Sequence, residues 1–397
     1  MTTQAYPKCL TNQNYCNPEI FNISTAFHDF KTGNLISVRY FILIVHTLSV
    51  GKMYDEPSMQ KDPNADYDYF KPNIAVVGVG GGGNNTIHRL CSMEVKNADL
   101  YAFNTDGKQL EMLNPRINRV MLGRELTRGL GAGGFPEIGE KAAELSRQSI
   151  EHLLSNKNIV FLTAGMGGGT GTGAAPVIAR AAKDAGAIVI GIVTLPFSLE
   201  RSRLATARKG ISRLKEHVDT LIIIDNQKLV TLYPNLPIEQ TFKLADEIAA
   251  KAVRGITETI TEPSMMNLDF ADIQSIMKIG GISMISVGSG KGHDRVEEVV
   301  NSTLNNKLLD VDYRNAKGVL LHITGGPDLT LGEANQIGSK LTETVSPNAS
   351  VMWGARMDPE YQGRLEVIGI FTGLSDSASQ FNDSERTASS GSDLDLI

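Results

Sequence analysis

Gly167-Gly168-Gly169-Thr170-Gly171-Thr172-Gly173 follows an apolar run, Ile159 to Thr163, and precedes a helical stretch that begins near Ala174. Five glycines in seven residues have few structural uses. A strand before the loop and Pro176 in the first turn of the helix after it point to a fixed anion nest. In such a nest backbone N–H groups approach a ligand closely and the helix N-terminus adds partial positive charge. A second cluster, Gly78-Val79-Gly80-Gly81-Gly82-Gly83 followed by Asn84 and Asn85, stands between a strand, Ile74 to Val77, and a helix from Thr86. It satisfies GxGxxG, so a nicotinamide or flavin site using Asp106 beyond the second strand is a rival reading. Two nests in one sheet suit a polyphosphate, and the threonine hydroxyls add donors that glycine lacks. The GxxxxGK[ST] loop is absent, so backbone dipoles, a bound Mg²⁺ and an arginine must stand in for the P-loop lysine.

Outward from these loops, strands at Leu100 to Phe103, Ile188 to Val193 and Leu221 to Ile224 alternate with helical segments at Ala174 to Ala185 and Ser202 to His217. That alternation predicts a Rossmann-type, doubly wound parallel sheet. A helix from Ile238 to Ile260 ends before Pro263 and reads as a spacer. Beyond it, strands at Ile282 to Val287, Val319 to Ile323, Ala349 to Trp353 and Leu365 to Phe371 interleave with helices Arg295 to Asn305 and Leu331 to Thr344, which predicts a smaller α/β domain. The expected organisation is an N-terminal extension over 1–70, a nucleotide domain with its central helix over 71–260, a second domain over 261–374 and a tail over 375–397. The extension shows no sustained period and reads as disordered. Met53 opens a short acidic segment, making it a candidate start that would leave 1–52 untranslated. The tail is rich in Ser and Asp and cannot pack a core.

With 397 residues, 41% of them hydrophobic, the chain is long enough for two cored domains. A net charge of −6 and no dense basic block give no electrostatic footprint for nucleic acid or anionic lipid. Cys9, Cys16 and Cys91 are too few and too irregular for a disulfide framework or a zinc site, which predicts a reducing compartment and hence the cytoplasm. The longest apolar run, Tyr40 to Val45 continuing weakly to Val50, falls short of the roughly 20 residues that span a bilayer, so direct membrane insertion is not expected.

The loop Gly167 to Gly173 is similar to the signature loop of the tubulin and FtsZ superfamily, and Ile74 to about Leu374 resembles archaeal FtsZ throughout. The motifs NTD at Asn104 to Asp106, RGLGAGG at Arg128 to Gly134, VTLPF at Val193 to Phe197, NLDFAD at Asn267 to Asp272 and WGA around Trp353 follow in the family's order. The resemblance implies a tubulin-like fold and a GTP-hydrolysing, filament-forming protein of the mid-cell division ring, with GTP or GDP and Mg²⁺ as ligands. It puts Gly81, Gly82, Gly83, Asn84 and Asn85 at the phosphates, with Gly168, Gly169, Thr170, Gly171, Thr172 and Gly173 opposite. Ala132, Gly133 and Gly134 would close on the γ-phosphate. Thr194 belongs to the same set, and Glu200 and Arg203 match the sugar-contacting pair. Here they stand three apart where the family has four, and Phe135 replaces the asparagine common after the GAGG turn. Asn226 resembles an additional base contact.

Base choice follows from chemistry. Phe242 and Asp246, at i and i+4, share one face of the long helix. A ring can stack while a carboxylate accepts from guanine N1–H and the 2-amino group; adenine turns an acceptor toward the same carboxylate and is repelled. From Asp246 the helix then runs roughly 20 Å away, so Asn267, Asp269 and Asp272 are expected to act on the GTP of a neighbouring subunit, which requires head-to-tail self-association. Asp393-Leu394-Asp395-Leu396-Ile397 is a candidate docking peptide for a membrane adaptor. Two other readings stay open on sequence alone, a shape or scaffolding paralogue with little turnover and an NAD(P)-dependent oxidoreductase.

Overall fold

The computed structural model describes residues 72–95, 97–261, 270–305 and 312–374. The expected extension 1–70, the tail 375–397, Asn267 and Asp269 lie outside the described residues. Among the described residues ten strands form one sheet: β1 (Ile74–Val79), β2 (Ala98–Asn104), β3 (Asn118–Met121), β4 (Ile159–Gly165), β5 (Ile188–Leu195), β6 (Thr220–Asp225), β7 (Ile282–Lys291), β8 (Gly318–Gly325), β9 (Ser350–Met357) and β10 (Arg364–Leu374). Their order is β3-β2-β1-β4-β5-β6-β7-β10-β8-β9. β1 is buried at every position and β4 and β5 at nearly every one, as apolar runs covered on both faces require. β6 meets β7 in parallel only at Leu221–Ile282 and Ile222–Ser283. β10 departs from the parallel pattern, running antiparallel to both β7 and β8.

Twelve helices are formed among the described residues: α1 (Gly80–Ser92), α2 (Gly107–Glu111), α3 (Arg124–Thr127), α4 (Pro136–Leu145), α5 (Arg147–Leu154), α6 (Gly169–Asp184), α7 (Arg201–Lys215), α8 (Asn226–Leu232), α9 (Ile238–Thr261), α10 (Phe270–Met277), α11 (Arg295–Asn305) and α12 (Leu331–Thr342). Both loop helices begin inside their glycine clusters, several residues before the expected starts at Thr86 and Ala174. None of the helices is long and apolar enough to cross a membrane. One core joins α4, α5, α6 and α7 through Ala142, Ile150, Ile178 and Ile211 to one face of the sheet. The other joins α1, α9 and α10 through Ile87, Leu90, Val253 and Ile273 to the opposite face.

α4 and α6 pack backbone against backbone. A Cβ on Gly173 would sit 1.9 Å from the Pro136 carbonyl oxygen, and one on Gly139 would sit 2.4 Å from that of Gly169. Neither carbonyl can retreat without unwinding its helix. Gly173→Ala is therefore expected to lower stability by about 2 to 3 kcal/mol through overpacking. Its denaturant midpoint should fall below that of the parent.

α9 is tied to the far strands by a polar cluster. Lys251 pairs with Glu366 at 2.9 Å, and Glu258 takes both Arg254, at 2.7 Å, and Arg356. His322 lies beneath, 6% exposed. Thr259 spends its only hydroxyl proton on the Gly255 carbonyl, so it must accept from His322 Nδ1–H, and Nε2 accepts from Thr324 at 3.1 Å. Burial first, then Arg356 and Arg254, hold the imidazole down to about 4 against Glu366. The unfolded chain thus binds a proton between about pH 6.5 and 4 that the native state refuses, and stability falls as pH drops through that window. The loss is worth about 3 kcal/mol. Unfolding midpoints of the parent and His322→Asn, compared from pH 7 to 4, should show the steeper acid loss in the parent.

Candidate functional site

The sheet order reverses between β1 and β4, the switch point where open α/β sheets hold ligands beyond the carboxyl ends of their strands. Here α1 and α6 start side by side. A Cβ on Gly80 would lie 2.8 Å from the Gly171 nitrogen, and one on Gly171 would lie 2.4 Å from the Gly165 carbonyl oxygen, so only glycine lets the two helix starts converge over the sheet. Neither helix has a side-chain cap or an acid in its first turn. Their N-terminal N–H groups are left for an external anion.

These starts form the floor of a cleft of about 570 Å³. Of the residues expected from sequence, Gly81, Gly82, Asn85, Gly168, Gly169, Thr170, Gly171, Thr194, Glu200, Arg203, Asn226, Phe242 and Asp246 line it together. Gly83, Asn84, Ala132, Gly133, Gly134, Thr172 and Gly173 do not. A Cβ on Gly83 would meet the Thr163 carbonyl oxygen at 2.2 Å, so this glycine seats α1 on β4. Asn84 is turned inward, its amide nitrogen 2.9 Å from the Gly78 carbonyl and its oxygen accepting from Asn104 at 3.0 Å. Thr172 accepts from Gly167 N–H at 2.8 Å and so closes the signature loop on itself. Gly173 serves the contact with α4. Ala132 is buried against Gly169, whereas Gly133 and Gly134 form an exposed turn at positive φ.

The cleft also contains residues to which the sequence assigned no part in binding GTP: Asn104, Asp106, Gln109, Gly131, Gly165 and Met166 among them. Asn104 donates to Gln109 at 3.0 Å, Asp106 caps α2 by accepting from Gln109 N–H at 3.1 Å, and the Thr105 and Thr170 hydroxyls meet at 2.7 Å. NTD thus ties the signature loop Gly167–Gly173 to β2. The only signal for it in the sequence is the motif itself.

At the other end, Phe242 is 46% exposed on the cleft wall, edge-on to Phe197 at 5.1 Å. It is available for stacking rather than consumed by the core. Asp246, one turn on, is half-buried and accepts from Thr86 Oγ1 at 3.3 Å. Burial pushes its carboxyl up to about 6, against the Thr86 hydrogen bond and the Arg89 charge. Asn226 is 5% exposed, and its amide oxygen is buried without a hydrogen-bond partner. An acceptor left so costs about 1 to 3 kcal/mol unless a ligand donates to it. Near the mouth, Glu200 accepts from Phe197 N–H at 3.1 Å and pairs with Arg203. A planar base carrying N–H donors fits between Phe242, Asp246 and Asn226, and a phosphate chain fits the helix starts.

Asp272 is not on the cleft. It stands half-buried in the first turn of α10. That helix ends against the beginning of β6, where Met277 O accepts from Thr220 at 2.6 Å, whereas the cleft lies beyond the end of β6 at Asn226. Among the described residues no group of three His, Cys, Asp or Glu side chains could hold a metal ion. Of the cleft carboxylates, Glu200 is ion-paired and Asp246 sits at the base end, so Asp106 is the one left near the phosphate floor.

The Tubulin/FtsZ family GTPase-domain model matches residues 73–234, and the FtsZ family C-terminal-domain model matches 281–375. The cell division protein FtsZ 2 of Methanocaldococcus jannaschii is 55% identical over 310 residues, covering 77% of this chain and 81% of the relative. That of Haloferax volcanii is 49% identical over 311 residues, with 78% of each chain covered. Among solved structures, an empty FtsZ dimer of M. jannaschii superimposes with a TM-score of 0.73 at 43% identity, covering 76% of this chain and 88% of the other. A GTPγS-bound CetZ2 protofilament from Haloferax volcanii, 21% identical with a TM-score of 0.68 over 79% and 98% of the two chains, shares the fold.

Proposed function

The chain belongs to the tubulin/FtsZ family and is an FtsZ-like cytoskeletal GTPase, and on that premise we propose that one subunit seats GTP in the cleft while the next subunit along a filament supplies the acids that cleave it. The dinucleotide oxidoreductase reading has no support from the family models. The buried, unpartnered Asn226 acceptor beside Asp246 carries the assignment of the base, because both ask for N–H donors and guanine presents them.

In this reading Gly81, Gly82 and Asn85 on one side and Gly168 to Gly171 on the other hold the phosphates through N–H groups at two helix starts. Gly83, Asn84, Thr172 and Gly173 brace those starts. Ala132, Gly133 and Gly134 close over the γ-phosphate, Glu200 and Arg203 hold the ribose, and Phe242 stacks on the base. With one carboxylate near the phosphate floor, Mg²⁺ would be held mainly by phosphate oxygens with Asp106 beside them, and it supplies charge neutralisation when bound. Asn267, Asp269 and Asp272 of the adjoining subunit orient and polarise the attacking water. The position of α10 at the other end of β6 from the cleft supports an action between subunits, since head-to-tail stacking brings those two ends together.

The FtsZ dimer of M. jannaschii supports self-association of this chain. The names of the curated relatives, cell division proteins, support a place in the division ring; the cytoplasm as its compartment and the tail residues 393–397 as an offer to a membrane adaptor are parts of this proposal that rest on the sequence alone. Phosphate release measured across protein concentrations tests the shared site. Turnover per molecule should collapse on dilution below the assembly threshold, and a rate independent of concentration would refute the proposal. Pelleting with GTP, but not with ATP or GDP, is the accompanying expectation.

A further inference from the structure

α7 carries six basic residues, Arg201, Arg203, Arg208, Lys209, Arg213 and Lys215, and no acidic one in 15. Because small residues separate the charges in the chain, no block stands out in the sequence. The helix gathers them. Ala207, Gly210, Ile211 and Leu214 are buried against the body of the protein, which turns Arg201, Ala205, Lys209 and Ser212 to solvent with Arg208 half-buried beside them. Arg203 is paired with Glu200 and Arg213 with Glu140. Among the described residues no ion pair engages Arg201, Arg208 or Lys209. On a chain of net charge −6 this is a local inversion of sign. The carboxylates nearest its ends, Glu200 and Glu216, flank it rather than cover it.

The described chain leaves the sheet two strands from β6, the strand that follows this helix in the chain. Leu374, where β10 ends, pairs with Ile282, and Ile282 pairs with Leu221, six residues past the end of α7. Two strand spacings put the exit about 10 Å from the start of β6. The 23 residues that follow, 375–397, carry Asp376, Asp383, Glu385, Asp393 and Asp395 against a single Arg386. Extended, they reach about 75 Å, while α7 is about 22 Å long. We propose that segment 375–397 docks in cis along the exposed basic stripe of α7, its carboxylates meeting Arg201, Arg208 and Lys209. Charge complementarity and the position of the exit carry this, and it does not rest on the hydrolysis mechanism.

A photocrosslinking amino acid in place of Phe381 in the full-length chain tests it, with crosslinked peptides mapped by mass spectrometry. At low salt the crosslinks should fall on residues 201–215. Near 1 M salt, where the screening length is about 3 Å, they should drop roughly tenfold. The triple charge reversal Arg201→Glu, Arg208→Glu, Lys209→Glu should abolish them, and changing Asp376, Asp383 and Glu385 to Lys in the same chain should restore them. Neutralising the five tail acids to amides leaves the folded body untouched and should also remove the crosslinks, so the test survives a poorly folded triple variant. Crosslinks that persist in the neutralised tail, fall elsewhere, or join an isotope-labelled chain to an unlabelled one would overturn docking in cis. So would equal binding of anionic phosphatidylglycerol vesicles to α7 with and without the tail, which would show the stripe uncovered.

Discussion

Replacing Asp246 by Asn should lower GTP affinity by roughly 100-fold and create affinity for xanthosine triphosphate in its place. A carboxylate accepts from two guanine donors at once. The amide offers one acceptor and one donor, and its donor faces the guanine 2-amino group, so one charge-assisted hydrogen bond is lost and a donor–donor clash is gained. Xanthine presents N1–H beside a carbonyl oxygen and matches the amide. Asp246 sits on the cleft wall one helical turn from Phe242, so the substitution leaves stacking and phosphate contacts alone. A second signature comes from protonation. The carboxyl titrates near 6 and guanine requires the ionised form, so affinity of the parent should fall as pH drops below about 6, approaching tenfold per unit. Nucleotide phosphates titrate in both proteins alike, and the ratio of parent to Asp246→Asn affinities isolates the side chain. Equilibrium titration with guanosine and xanthosine nucleotides between pH 5 and 8 measures both effects. A flat ratio with no gain of xanthosine binding would remove Asp246 from the base pocket.

Asp272→Ala should cut phosphate release by 10²- to 10⁴-fold, the usual worth of a positioned acid–base group, with GTP binding nearly unchanged. The sharper measurement mixes two inactive proteins. Asp272→Ala keeps a sound cleft and lacks the acid, whereas Asp246→Ala keeps the acid and lacks the base contact. If each site is assembled from two subunits, an equal mixture that copolymerises at random recovers about a quarter of the sites. A site complete within one chain recovers none. Single-chain variants cannot draw this distinction, because both mechanisms predict loss.

Much of the cleft could be read from sequence because its parts are chemically conspicuous. Glycine clusters between strand and helix have few other uses, and an aromatic and an acid at i and i+4 share a face wherever a helix forms. The same glycines also hid part of the answer. Gly83 and Gly173 lie in the loops but fill packing positions against Thr163 and Pro136, and composition cannot separate a glycine that admits a phosphate from one that admits a neighbouring helix. β3 escaped notice because Asn118–Met121 is short and half polar. α4 escaped because its buried face is Gly139, Ala142 and Ala143, too small to mark a helical period. The Asn84–Asn104–Gln109 chain and the Thr105–Thr170 contact join residues up to 65 positions apart. No local spacing encodes them.

The meeting of β6 and β7 at Leu221–Ile282 and Ile222–Ser283 has a mechanical meaning. Every other ladder described has at least four register pairs to share a tensile load, but at this seam two pairs must carry it with the side chains of α9 and α10. Compliance of the subunit is therefore concentrated along one line. A filament drawn around a curved wall would yield there first, opening along the β6–β7 seam while the nucleotide floor keeps its shape.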